Sequence, residues 1–103
     1  MALTRPTLLS VPAFDATQQQ TFTFSVASVS SQITANLLII RNNDTNDIVY
    51  QEKQETFRYE HIVNADKLTN GVYYNAVIFV FDSNGNESPV STPIQFWCYS
   101  SPI

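Results

Sequence analysis

Apolar and polar residues alternate one for one over much of this chain, and a period of two marks a strand with one face in a core. Thr21-Phe22-Thr23-Phe24-Ser25-Val26 sends Phe22, Phe24 and Val26 to one side. Leu37-Leu38-Ile39-Ile40 is a continuous apolar run, the pattern of a strand covered on both faces. Asn42-Asn43-Asp44-Thr45-Asn46-Asp47 is a turn cluster, because short amide and carboxylate side chains bond nearby backbone. Ile48-Val49-Tyr50 then resumes a strand and completes a hairpin. Phe57, Tyr59 and His61, alternating with Arg58 and Glu60, predict a further strand. The longest strand signal covers residues 72–81. It runs into the turn Asp82-Ser83-Asn84-Gly85-Asn86, where Gly85 is free to take positive φ. Residues 94–99 close the set, and Ala65-Asp66-Lys67 has room for one helical turn at most. Seven short strands separated by turns predict an all-β chain folded as a seven-stranded antiparallel β-sandwich.

The 103 residues make room for one domain, spanning 1–103, either whole or as the N-terminal piece of a longer chain. Apolar residues at 44% suffice for one core. Charged residues are only 14%, against about 25% in an average protein, and Ser, Thr, Asn and Gln outnumber them more than two to one. The surface is therefore built of hydroxyls and amides. Ten of the fourteen charges fall between residues 41 and 67, which places most of the ionic surface on the middle strands. A net charge of −4 offers nothing to neutralise a nucleic-acid backbone, and no apolar run approaches the ~20 residues of a membrane span, so neither is an expected partner. The start, Met1-Ala-Leu-Thr-Arg-Pro-Thr-Leu-Leu, lacks the apolar stretch of a signal peptide, which predicts synthesis in the cytoplasm unless the chain is cut from a longer one.

Site chemistry is sparse. Two glycines argue against a phosphate-cradling loop, and no G-x-S-x-G elbow occurs. Cys98 is alone, so an internal disulfide is excluded, and a buried, inert thiol is expected. His61 has no second histidine for a metal site and reads as a partly exposed strand residue. Asp44/Asp47 and Asp82/Asn84/Asn86/Glu87 cluster oxygens as a hard cation would require, but turn chemistry accounts for both without metal. Glu52, Glu55 and Glu60 are near in sequence, yet exposed carboxylates are no catalytic pair unless burial separates their pKa values. Asn43-Asp44-Thr45 and Asn86-Glu87-Ser88 match glycosylation sequons, which chance explains in so Asn- and Thr-rich a chain. No enzyme activity, cofactor or metal is expected.

The stretch from Leu68 to Pro89 resembles the E–F corner, strand F and F–G turn of a fibronectin type III domain. That family has a Leu followed six positions later by a Tyr, then small and apolar residues in alternation, then a D-x-x-G-N-x-S turn. Leu68 and Tyr74 match the first pair; Ala76, Ile78 and Val80 match the alternation; Asp82, Gly85, Asn86 and Ser88 match the turn. The resemblance implies that Tyr74 buries its ring at the corner and bonds its hydroxyl back across it, with Leu68 beside it. Phe22, Phe24 and Val26 stand where the family often has a core Trp, since the one Trp here is Trp97. The whole chain is also similar in style to the short fibronectin-like modules in minor structural proteins of tailed phages. Arg5-Pro6-Thr7-Leu8, the amide-rich surface and the lack of disulfides carry that likeness, and it implies a virion component.

With Tyr74, Ala76, Ile78 and Val80 inward, period two sends Tyr73, Asn75, Val77, Phe79 and Phe81 outward. A free sandwich should be polar there. In the family, strands C, F and G share a sheet; here strand C is apolar on both faces, and strand G offers Ile94, Phe96 and Cys98 on one side, Trp97 and Tyr99 on the other. Val77, Phe79, Trp97, Tyr73 and Tyr99 are therefore the candidate interface, for other protein subunits or neighbouring domains, with a homo-oligomer expected. Two rivals stand beside this reading. Residues 8–14 fold over the face within the chain, or the aromatics stack against a host surface glycan. A third possibility makes the domain a spacer of a secreted, extracellular bacterial enzyme.

Overall fold

Phe22 and Phe24 face inward together, and the rest of the molecule is arranged to cover them. The computed structural model describes residues 4–26 and 32–99. Among these the strands are β1 (Thr7–Leu8), β2 (Gln20–Ser25), β3 (Ile33–Asn42), β4 (Ile48–Gln54), β5 (Glu60–Val63), β6 (Tyr73–Asp82) and β7 (Ile94–Trp97). They form two antiparallel sheets, ordered β1-β2-β5 and β4-β3-β6-β7. The core lies between them. Leu38 and Ile40 of β3 and Tyr74, Ala76, Ile78 and Val80 of β6 meet Phe22 and Phe24 from the opposite sheet. The ring of Phe22 stands edge-on to Phe96 at 5.3 Å. Each such side chain contributes about 1.5–3 kcal/mol of burial.

The turns follow the sequence signals. Asn42 Oδ1 accepts from the amides of Asp44 and Thr45, and Asp82 Oδ1 from those of Asn84 and Asn86. The second Asp82 oxygen, Oδ2, accepts from Asn86 Nδ2 at 3.1 Å. Asn46, Asp66 and Gly85 sit at φ of 65°, 66° and 83°, a region that Asn, Asp and Gly tolerate best. The left-handed Asp66 explains why residues 65–67 turn rather than begin a helix.

Strand β7 pairs only with the first four residues of β6. Beyond it, Pro89 and Pro93 prevent a regular strand. Two buried serines complete the edge instead: Ser91 Oγ accepts from Ile78 N–H at 2.8 Å and Ser88 Oγ from Val80 N–H at 2.9 Å, while their own amides donate to the carbonyls of Ile78 and Val80.

Tyr74 is buried, and its hydroxyl accepts from Thr69 N–H at 2.9 Å and donates to Thr69 O at 3.4 Å. Leu68 is partly buried against the core beside it. The hydroxyl thereby closes the loop between β5 and β6.

His61 departs from the sequence expectation. It is 0% exposed, not partly exposed. Its ring joins the two sheets: Nδ1 lies 2.6 Å from Asn36 Oδ1 on β3 and Nε2 lies 2.9 Å from Tyr50 Oη on β4. Asn36 Nδ2 donates to Glu60 O, so its Oδ1 is the acceptor that fixes the proton on His61 Nδ1. Nε2 then accepts from the Tyr50 hydroxyl, and the trio is satisfied with a neutral imidazole. Burial pushes His61 down to about 4 and, with the nearby Glu52 carboxylate, pushes the Tyr50 hydroxyl up. The strand expected to start at Phe57 begins only at Glu60; residues 57–59 bend, leaving Phe57 exposed.

The N-terminal segment does not cover the outer face. Leu8 is buried in the core, and Phe14 packs inside, stacked on Phe96 at 5.6 Å and edge-on to Phe22 at 6.2 Å. Phe14 bridges Cys98 in parallel, so the segment crosses from one sheet to the edge of the other.

The corner and the buried trio are both testable. Tyr74→Phe removes both hydroxyl bonds and is expected to cost about 1 kcal/mol, roughly a 5 °C lower melting temperature by calorimetry. An unfolded chain binds a proton on His61 below pH ~6.5 while the folded one resists until about 4, so stability falls as pH drops through that window. Urea midpoints should show about 3 kcal/mol lost between pH 7 and pH 4 in excess of the loss in His61→Gln, whose difference isolates this group from the carboxylates.

Candidate interaction face

The side of the four-stranded sheet that faces away from the core is built by register. Leu37 opposes Phe79, Ile39 opposes Val77, and Ala35 opposes Phe81 across β3 and β6. Directly opposed residues share a face, so these six form one apolar band. Strand β4 contributes Lys53 beside Leu37 and Gln51 beside Ile39. The side chain of Lys53 reaches past the small Ala35 and places Nζ 4.4 Å from the centre of the Phe81 ring. Arg41 and Asn75, again opposed, end the band.

Val77 points outward yet is 7% exposed, because its neighbours on three strands close over so short a side chain. Phe79 is half-buried against Phe81, with ring centres 5.6 Å apart. Tyr73 and Trp97 are cross-strand partners, stacked at 5.8 Å and 24°. Trp97 meets Tyr99 at 5.2 Å. These three rings are 56%, 39% and 38% exposed, the wettest part of the face. All five residues of the expected interface therefore share one side of one sheet, while Leu68 and Tyr74 lie at the corner behind it. Phe81 and its Lys53 cover were not singled out by the sequence. The period-two pattern puts Phe81 on this side, but nothing local joins it to a lysine 28 residues earlier.

Elsewhere the chemistry is quiet. A cleft of about 460 Å³ beside the β4–β5 loop is lined by Gln54, Glu55, Thr56, Arg58, Glu60 and Ile62. Its floor is structural: the Gln54 amide accepts from Ile62 N–H at 3.0 Å and donates to Ile62 O at 2.7 Å, extending the ladder of β5. Arg58 and Glu60 are 3.8 Å apart and exposed enough to be worth little. Cys98 is fully buried, and burial, followed by the charge of Asp15, pushes its thiol up to about 11. Bonds from Asn70 and Thr17 hold Asp15 below the usual carboxylate range and tie the N-terminal segment to the β5–β6 loop. Of these shifted groups Tyr50, His61 and Cys98 are buried, and the accessible Asp15 is engaged by Thr17 and Asn70.

No family model and no curated protein matches the sequence. Solved structures do. The chain is similar to a myokine structure at 14% identity and a TM-score of 0.77, covering 96% of this chain and 100% of that one. It is similar to titin module A71 from human cardiac muscle at 17% identity and a TM-score of 0.60, covering 89% and 85%. It is also similar to CopC from Methylosinus trichosporium OB3b at 15% identity and a TM-score of 0.57, covering 95% and 97%. At such identities the likeness is one of architecture. Strand order, corner and neighbours agree: the chain folds as a seven-stranded antiparallel sandwich of the fibronectin type III/immunoglobulin-like class.

Proposed function

We propose that this chain is a non-enzymatic structural module that associates with other protein subunits or neighbouring domains through the outer face of its four-stranded sheet. The observation that carries the reading is the apolar band Leu37, Ile39, Val77, Phe79 and Phe81, continued by Tyr73, Trp97 and Tyr99, on a side of the sheet that no segment among the described residues crosses. A contiguous apolar surface, half-buried or closed over along the band and exposed at its three terminal rings, marks an interaction site in a small protein. Fold neighbours that are mostly modular sandwich domains agree with a role outside catalysis. Within that role we assign the module to a virion, in a phage tail or baseplate. The support is the short fibronectin-like architecture, the hydroxyl- and amide-rich surface and the lack of disulfides.

Sedimentation velocity over a concentration series tests the reading. Wild-type protein is expected to associate, with the emission of Trp97 shifting to the blue as it does so, and Phe79→Asp is expected to be monomeric with an unchanged circular dichroism spectrum. A wild type that stays monomeric and binds no virion protein, or association that Phe79→Asp leaves intact, overturns it.

A further inference from the structure

The apolar band has a charge on each flank, and the two are of opposite sign. Lys53 stands on β4, beside Leu37. Glu87 stands on the other flank, bridged antiparallel to Phe81 and therefore on the same face. Both are exposed. Among the described residues neither makes an ion pair, and the Lys53 ammonium lies over the ring of Phe81. Between the flanks, among the described residues, the charge on the band is the Lys53 ammonium laid over Phe81, and Arg41, at the band's end, is opposed by the neutral Asn75.

We propose that the occupant of this face is a second copy of the chain, related by a two-fold axis that runs along the midline between β3 and β6. The inference rests on reading the outer face as an interface and specifies its partner and geometry. Such an axis lays β3 of one copy on β6 of the other. Leu37 and Ile39 then meet Phe79 and Val77 of the second copy, apolar against apolar on both sides. The same operation lays the β4 flank of each copy on the Glu87 flank of the other, so Lys53 meets Glu87 twice, reciprocally. In the free chain Lys53 reaches across β3 to lie over Phe81 on β6, in the row that holds Glu87, and on docking it swings back to its own flank. On docking it exchanges an aromatic ring for a carboxylate. A two-fold pairing is isologous and closes on itself, so the assembly stops at two.

The size of the face suits this. Strands of 7, 10, 10 and 4 residues at ~3.3 Å per residue and ~4.8 Å spacing give a flat footprint of about 500 Å². With side chains standing on it, the accessible area reaches the order of the ~800 Å² that each partner of a stable interface buries. Two copies of one sheet also share one twist, as aligned face-to-face packing requires.

Charge reversal tests the geometry separately from the face. Lys53→Glu sets two pairs of carboxylates against each other, and Glu87→Lys sets two pairs of ammonium groups. Each alone is expected to weaken the wild-type dimer about tenfold, measured by sedimentation equilibrium at low salt. The double variant, Lys53→Glu with Glu87→Lys, is expected to recover wild-type affinity. Mixing the two single variants is expected to give the heterodimer in excess of either homodimer, by native mass spectrometry. If Phe79→Asp abolishes association but neither charge reversal changes it, or the mixture yields statistical amounts, the two-fold arrangement is wrong while the face stands. If the protein is monomeric, or Phe79→Asp has no effect on its dimer, both fall.

Discussion

The pairing of β3 with β6 governs the molecule. Both strands run ten residues, both are apolar on their two sides, and the register joins Leu38 to Ile78 on the inside and Leu37 to Phe79 on the outside. A slip by one residue would exchange these sets. What resists the slip is polar. Asn36 lies in the inward row, and only in the observed register does its amide reach His61 on the opposite sheet. A hydrophobic pair of strands with no preference between its faces is thus given one by a single buried amide. The trio of Asn36, His61 and Tyr50 gains little net energy from its hydrogen bonds, since each group gave up water to form them. Its weight lies in the cost of leaving any member unpaired.

That arrangement divides the domain by chemistry. Charges gather on β4, β5 and their connecting loop, whereas β6 and β7 present aromatic and aliphatic side chains to solvent. The inner face of the four-stranded sheet is consumed by the core against Phe22 and Phe24. The outer face has the same apolar character and, among the described residues, no counterpart. A sheet apolar on both sides belongs inside something, and in this fold only one side is inside.

Much of this was legible in the chain. Strict alternation located β2 and β6, the Asn- and Asp-rich clusters located the turns, and the Leu68–Tyr74 spacing located the corner. Each of these is a local rule, written within a dozen residues. The parts that were not legible are tertiary. His61 reads as half-exposed because its neighbours Glu60 and Tyr59 are polar or amphipathic; its real partners are 11 and 25 residues away. Ser88 and Ser91 read as loop residues, yet their hydroxyls act as rungs of the sheet. Phe57 promised a strand that Thr56 and Arg58 turn into a bend, where the Thr56 hydroxyl takes the Arg58 amide. The outer face lies between these cases: its residues were placed by period two, but its cover by Lys53 depends on a register that spacing does not encode.

The crossing of residues 8–14 between sheets has a mechanical consequence. Phe14 lies parallel to Cys98, and Tyr99 N–H donates to Phe14 O, so the stretch that follows β1 and the stretch that follows β7 run side by side in the same direction. Tension that draws the two ends of the domain apart therefore slides these segments past each other and strains their bonds together, whereas antiparallel ends would peel open one bond at a time.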